Sequence, residues 1–256
     1  MRIVIKVGTS TLAHSTGLLD LRQVEGLCKV ISDLKNSGHG IIMVSSGAIG
    51  LGVGKMGLPG RPKDTPTKQA AASVGQCELM YTYDKLFSEY NHTVGQILIT
   101  LADFESPQRF TNFENTLFRL LSLRAIPIIN ENDTVATDEF GIGENDTLAA
   151  VVAKSLKADL LIILSDIDGL FTADPRIDPD ATLIHVVDEV SPEILALGGS
   201  GGSALGSGGM HTKLNAAKTV TEVGIDMVVA KGNPPEVLYD ILDGKPVGTL
   251  FKGRKA

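Results

Sequence analysis

The chain has 256 residues, 43% hydrophobic and 21% charged, a balance ordinary for a globular protein and too apolar for a disordered one. Lys and Arg total 23 against 30 Asp and Glu, and the net charge of −7 argues against a general coating of nucleic acid. Two cysteines supply neither a disulfide framework nor a four-thiolate zinc site, MRIVIKVG sets a lysine inside its apolar run where a signal peptide has none, and no run approaches the ~18 apolar residues of a membrane span.

These exclusions predict a cytoplasmic protein with no membrane and no nucleic-acid partner. Along the chain, short aliphatic runs alternate with segments of helical period. A strand is expected over 3–7. Asp20 caps a helix whose apolar residues Leu21, Val24, Cys28, Ile31 and Leu34 recur at helical spacing, with Gly38 as its stop. The run at 41–44 is apolar throughout, as in a strand buried on both faces. A helix over about 68–90, a strand over 94–100, a helix over 110–123 and a strand ending at 127–130 follow. Asn145 or Asp146 opens a helix through 157, and 159–164 reads as a strand. A helix from about 210 to 223, a strand over 226–230 and a last helix near 235–242 complete the pattern. The alternation predicts an α/β protein: a three-layer αβα sandwich around a mostly parallel central sheet, one domain over 1–256.

Two patterns match familiar fingerprints without their context. Gly52-Val53-Gly54-Lys55-Met56-Gly57 is a literal GxGxxG, but it lies well beyond the strand it should follow and runs into Leu58-Pro59-Gly60. Asp166-x-Asp168-Gly169 begins like a calcium loop and lacks the later ligands. A Walker A pattern is absent.

The informative residues sit at strand and helix ends. Lys6 interrupts the first strand near its carboxyl end, ahead of Gly8, Thr9 and Ser10; ligands in doubly wound folds gather there. An edge-strand lysine with its head in solvent is the plain alternative. Ser45-Ser46-Gly47-Ala48 closes the second strand with small residues that leave backbone N–H groups open to an anion. Asn130-Glu131-Asn132-Asp133 and Glu144-Asn145-Asp146 are clusters of carboxamides and carboxylates richer than helix capping needs, and suit recognition of an ammonium or amide-sized group. Ser165-Asp166 closes another strand. The stretch GGSGGSALGSGG over 198–209 has the composition of a linker, yet runs directly into a helix start carrying Lys213, as phosphate-binding loops do. Two lysines, Gly-rich turns and carboxylates at element ends form the inventory of phosphoryl transfer.

On IVIKVGTSTL, VSSGAIGLG, the INENDTVAT and GENDTLAA pair, SDIDGLFTADPR and LGSGGMHTKLNAAK, the chain resembles the amino-acid kinase family, in that family's order and over nearly its whole length. Within it the resemblance is to members that phosphorylate glutamate. It implies that Lys6 and Lys213 contact the transferred phosphoryl group, with Asp146 holding both ammonium groups as the third catalytic residue. Ser46, Asp133 and Asn145 match glutamate-binding positions. Lys6, Ser165, Asp166, Ser207, Gly208, Gly209, Met210, His211, Thr212 and Lys213 match ATP-binding positions. Glu144 and His211 stand where the family often has a shorter acid and a serine. The C-terminal PUA domain common in bacterial members is not expected.

The implied reaction moves the γ-phosphoryl group of ATP, with Mg2+, to the side-chain carboxylate of L-glutamate, giving L-glutamyl 5-phosphate as the first step of proline biosynthesis. The resemblance further implies a homo-oligomer (dimer or tetramer), association with γ-glutamyl phosphate reductase, and proline as a feedback inhibitor acting near the irregular segment 55–67. Rival readings are an aspartate, N-acetylglutamate, carbamate or UMP kinase of the same fold, a catalytically silent amino-acid sensor, and a nicotinamide-dependent oxidoreductase carried by GxGxxG alone.

Overall fold

A computed structural model describes residues 1–136, 145–199 and 209–254. Its strands in chain order are β1 (Arg2–Val7), β2 (Gly40–Ser45), β3 (Val94–Ile99), β4 (Ile126–Glu131), β5 (Leu160–Ser165), β6 (Leu170–Phe171), β7 (Leu183–Ile184), β8 (Val186–Val187), β9 (Asp226–Lys231) and β10 (Thr249–Phe251). Its helices are α1 (Thr9–Leu12), α2 (Leu21–Asn36), α3 (Ala48–Lys55), α4 (Thr65–Ser88), α5 (Leu101–Glu105), α6 (Pro107–Ser122), α7 (Asp146–Ser155), α8 (Pro192–Ala196), α9 (Met210–Thr221) and α10 (Val237–Leu242).

Period-two alternation builds the three layers. Along β1, Ile3, Ile5 and Val7 point to one face of the sheet and Val4 to the other; β2, β5 and β9 divide their residues in the same way. One face is covered by α6, α7 and α9, where Val4, Val44, Ile129, Ile163 and Val229 form a single core. The other is covered by α2, α4 and α10 over Ile5, Met43, Ile128, Ile162 and Val228. The eight-stranded sheet runs β3-β4-β2-β1-β5-β9-β10-β8. Every pairing in it is parallel except β9 with β10. The protein is therefore a three-layer αβα sandwich with a mostly parallel sheet, as the alternation predicted. Among the described residues, no helix is long and apolar enough to cross a membrane.

Local chemistry accounts for the element ends. Asp20 accepts a hydrogen bond from Gln23 N and starts α2, and Gly38 takes φ 96° just past its end, a conformation that suits glycine. Asp64 does the same for Thr67 N at the start of α4, with Pro66 in the first turn. The irregular segment is consequently narrower than expected, 56–64 between two helices.

Three further differences have physical reasons. The short strands β8 and β10 escape a periodicity reading because two or three residues cannot show alternation; they extend the sheet beyond β9. The hairpin of β6 and β7, a separate two-stranded sheet, escapes that reading for the same reason of length. Finally, the residues after β2 form the helix α3, whose glycines had the look of a loop. A Cβ on Gly52 would lie 1.8 Å from the Ala71 carbonyl oxygen, and one on Gly75 equally close to that of Ala48. The first two glycines of GxGxxG thus lie within α3, and Gly52 permits backbone contact with α4 rather than framing a dinucleotide.

Candidate active site

Lys6 lies on a central strand, not an edge, so the solvent-seeking alternative fails. Its β1 neighbours are Val44 of β2 on one side and Ile163 of β5 on the other, and it is 2% exposed. Alternation turns its side chain to the face of Val4, beneath α7 and α9. There Asp146, the first residue of α7 and fully buried, receives the Lys6 Nζ at 2.9 Å from Oδ1. Lys213, in the first turn of α9, places its Nζ 3.2 Å from Oδ2. The Thr212 hydroxyl donates to the same Oδ2 at 2.8 Å. Two ammonium groups from opposite ends of the chain thus meet on one carboxylate.

The energetics require that company. Burial alone pushes the Asp146 carboxyl up, but the charges of Lys6 and Lys213 and the hydrogen bonds from Lys6 and Thr212 outweigh it and hold the group well below the usual carboxylate range. A carboxylate at the start of a helix also gains from the helix dipole. Asp146 is an anion throughout the neutral range, and its role is to fix the two ammonium groups in one place.

Beside this triad runs a buried chain of carboxamides and hydroxyls. Asn145 occupies the cap position of α7 but makes no capping bond. Its Nδ2 instead donates to the Ser45 carbonyl at 2.9 Å, to Asn130 Oδ1 at 2.7 Å and to Ser46 Oγ at 3.2 Å. Asn130 continues the chain to Gln76 Oε1 at 2.8 Å. Ser45 Oγ meets the Tyr83 hydroxyl at 2.9 Å, and burial pushes that phenol above its ordinary range. The turn from β2 into α3 passes through Gly47 at φ 107°, a left-handed conformation that suits glycine and keeps Ser46 beside Asn145.

Asp133 lies in the turn after β4 and borders a small cavity with Ala48, Gln76 and Thr134. On the other flank, Ser165 ends β5 and donates to Asp166 Oδ1 at 3.1 Å, while its carbonyl accepts from Gly232 N. Asp166 is exposed. No side chain caps α9 at Gly209; Met210 is half-buried, and exposed His211 meets Asn215 at 3.0 Å along the helix surface. Ser207, Gly208 and Glu144 lie outside the described residues.

The structure therefore brings Lys6, Asp146, Thr212 and Lys213 into direct contact and links Ser46 with Asn145. Gln76 and Tyr83 were missed in the sequence. Both lie on the buried face of α4 with Leu79, seven residues apart, but apolar and polar residues are spread around that helix, so no stripe marks the face in the sequence.

The sequence model described as "Amino acid kinase family" matches residues 1–231. A protein of Clostridium tetani named glutamate 5-kinase is 52% identical over 253 residues, which cover 99% of this chain and 95% of that one. A protein of the same name from Clostridium acetobutylicum is 53% identical over 250 residues, covering 98% and 94%. Among solved structures, carbamate kinase from Giardia lamblia bound to AMP-PNP superposes with a TM-score of 0.70 at 16% identity, covering 98% of each chain. That last likeness speaks to the fold alone.

Proposed function

The chain belongs to the amino acid kinase family, and from that premise we propose that it transfers the γ-phosphoryl group of ATP to the side-chain carboxylate of L-glutamate, forming L-glutamyl 5-phosphate. The observation that carries the reading is the meeting of Lys6 and Lys213 on Asp146, at the carboxyl end of β1 and the start of α9. Relatives about half identical over nearly the full length, both named glutamate 5-kinase, support glutamate as the acceptor.

The chemistry follows from charge. A glutamate side chain with a solution pKa of about 4.3 is already ionised at neutral pH, so its attack needs no general base. The obstacle is that an anion must approach a polyanion. Lys6 and Lys213 neutralise the migrating group and hold it in line, and Asp146 keeps their ammonium groups from separating. The start of α9, where the N-cap Gly209 has no side chain of its own, adds backbone donors and a partial positive charge toward phosphate oxygens. Asp146 is engaged by two ammonium groups and a hydroxyl, so magnesium enters as part of the substrate MgATP, carried on the phosphates. There it neutralises phosphate charge.

Ser46, Asp133 and Asn145 take the amino acid in this reading, and Ser165, Asp166 and the segment from Ser207 to Lys213 take the nucleotide. Proline would act as feedback inhibitor through the segment between α3 and α4, a proposal that unchanged kinetics at saturating proline removes. The product is an acyl phosphate, labile in water, so a γ-glutamyl phosphate reductase is the natural consumer. The decisive experiment is ADP release with MgATP and glutamate, repeated with aspartate, with hydroxylamine trapping the acyl phosphate. Turnover and trapping with glutamate and little with aspartate are expected. Preference for aspartate, N-acetylglutamate, carbamate or UMP, or binding without turnover, rejects the assignment.

A further inference from the structure

Backbone groups fix the orientation of the buried carboxamide chain. Glu131 N donates to Asn130 at 2.9 Å, and a backbone N–H can only donate, so the atom it meets is Oδ1. The other end of Asn130 is then its Nδ2, which makes the atom it meets on Gln76 the oxygen, Oε1. Asn145 is pinned likewise, because the Ser45 carbonyl can only accept from its Nδ2. Flipping any one of the three amides sets like groups against each other. The assignment therefore rests on main-chain chemistry.

This leaves Gln76 Nε2 with two N–H donors, buried and without a partner among the described residues. The residue is 8% exposed. An unsatisfied buried donor costs about 1–3 kcal/mol, and a donor that the fold itself does not satisfy is a candidate to be satisfied by a ligand. Gln76 borders the cavity that Asp133 also borders, with Ala48, Ala72, Leu98, Glu131, Asn132 and Thr134 completing the wall. That cavity measures about 10 Å³, room for roughly one oxygen-sized group. A donor pair and the carboxylates of Glu131 and Asp133 on one wall are complementary to a zwitterion, whose ammonium goes to the acidic side and whose carboxylate goes to the amide. The hydrogen-bonded chain runs from Gln76 through Asn130 to Asn145, the residue before Asp146, which places Gln76 away from the reacting end of the substrate.

We propose that Gln76 determines substrate specificity by donating from Nε2 to the α-carboxylate of the amino acid. This rests on the glutamate kinase reading above. Gln76→Glu is the informative change: it keeps the oxygen that Asn130 needs and replaces the donors with a second acceptor. The glutamate KM is expected to rise about 10–100-fold, the loss of a charge-assisted hydrogen bond. At the same time kcat and the ATP KM should stay within about twofold, as expected when binding energy remote from the reacting centre is removed. Gln76→Met, uncharged and of similar length, is the second variant, with the same split expected at smaller size. An unchanged glutamate KM in both variants overturns the proposal. So does a parallel rise in both KM values with a fall in melting temperature, which marks a structural role only. If the unaltered protein fails to phosphorylate glutamate, the kinase reading falls and takes this one with it; if it succeeds and the variants match it, this one alone falls.

Discussion

The two ends of the central sheet are both concave and have little else in common. At the amino ends of β5 and β9, a groove of about 340 Å³ is bordered by Leu160, Val228, Ile241, Leu242, Val247 and Leu250. Its charged neighbours are spoken for at the rim: Asp159 accepts from Arg2 N, and Lys245 pairs with Asp240. At the carboxyl ends of β1, β2, β4 and β5, by contrast, Lys6, Ser45, Asn130 and Ser165 are buried. An open groove therefore need not coincide with the convergence of buried polar groups. Burying polar groups is costly unless each is paired, and a parallel sheet collects its carboxyl ends, with the starts of the following helices, on one side. Convergent buried polar groups, more than concavity, mark where chemistry is done.

The sharpest way to break that contrast is to remove a cation. Lys213→Ala and Lys6→Ala are each expected to lower kcat by about 10²–10³-fold, the scale of losing one preorganised charge donor. The glutamate KM should move far less. Near-normal turnover in both variants would reject the assignment.

Asp146→Asn comes next and acts on stability as well as rate. It removes the carboxylate on which both ammonium groups rest, a loss of about 3–5 kcal/mol for one partner of a buried pair. The pH dependence has a definite sign. A carboxyl depressed in the folded state adds stability that is fully present above its unfolded pKa, about 3.9, and is lost as pH falls through the folded value. Urea midpoints of the two proteins should therefore differ by a constant amount from pH 8 to 5 and converge only in strong acid. A difference that titrates near neutrality would mean that Asp146 is not held as an anion.

Asp133→Ala is expected to raise the glutamate KM about tenfold, the worth of roughly 1.4 kcal/mol, and to leave the ATP KM unchanged. An effect confined to ATP would place Asp133 on the wrong flank. Tyr83→Phe is smaller again, about 1 kcal/mol of stability for one buried hydrogen bond. Ser45 keeps its bond to the Ser46 carbonyl in that variant, so the kinetics should hardly change.

How much of this was legible depends on the length and periodicity of each segment. β1, β2 and β5 are nearly unbroken aliphatic runs, and α2 carries its cap, stripe and stop in plain order, so the layers were readable. The two-residue strands and the glycine-rich α3 were not, because alternation needs length and a packing glycine looks like a loop glycine until its neighbour is known. In the site, Lys6 announced itself as a charge inside an apolar strand. Asn145 stood in a cluster richer than capping needs, but only the structure shows its amide turned to Ser45, Ser46 and Asn130. Gln76 and Tyr83 were hidden because polar residues are common on helices, and nothing local says that theirs is the buried face.

The groove at the amino ends supplies the control that gives the contrast meaning. Leu242 is half-buried on α10 and borders the groove, whose lining does not include Lys6, Asp146 or Lys213. Leu242→Ser should lower stability by about 1–2 kcal/mol through lost apolar burial, read from a urea midpoint, and leave kcat and both KM values within about twofold. If that variant instead shifted a KM while the midpoint held, a ligand would be entering at the amino ends. The rule that buried polar convergence outweighs open volume would then fail for this fold. Because the groove lies across the sheet from the triad, the two results are separable: a packing loss acts through the equilibrium between folded and unfolded chains, whereas a binding loss appears at constant stability.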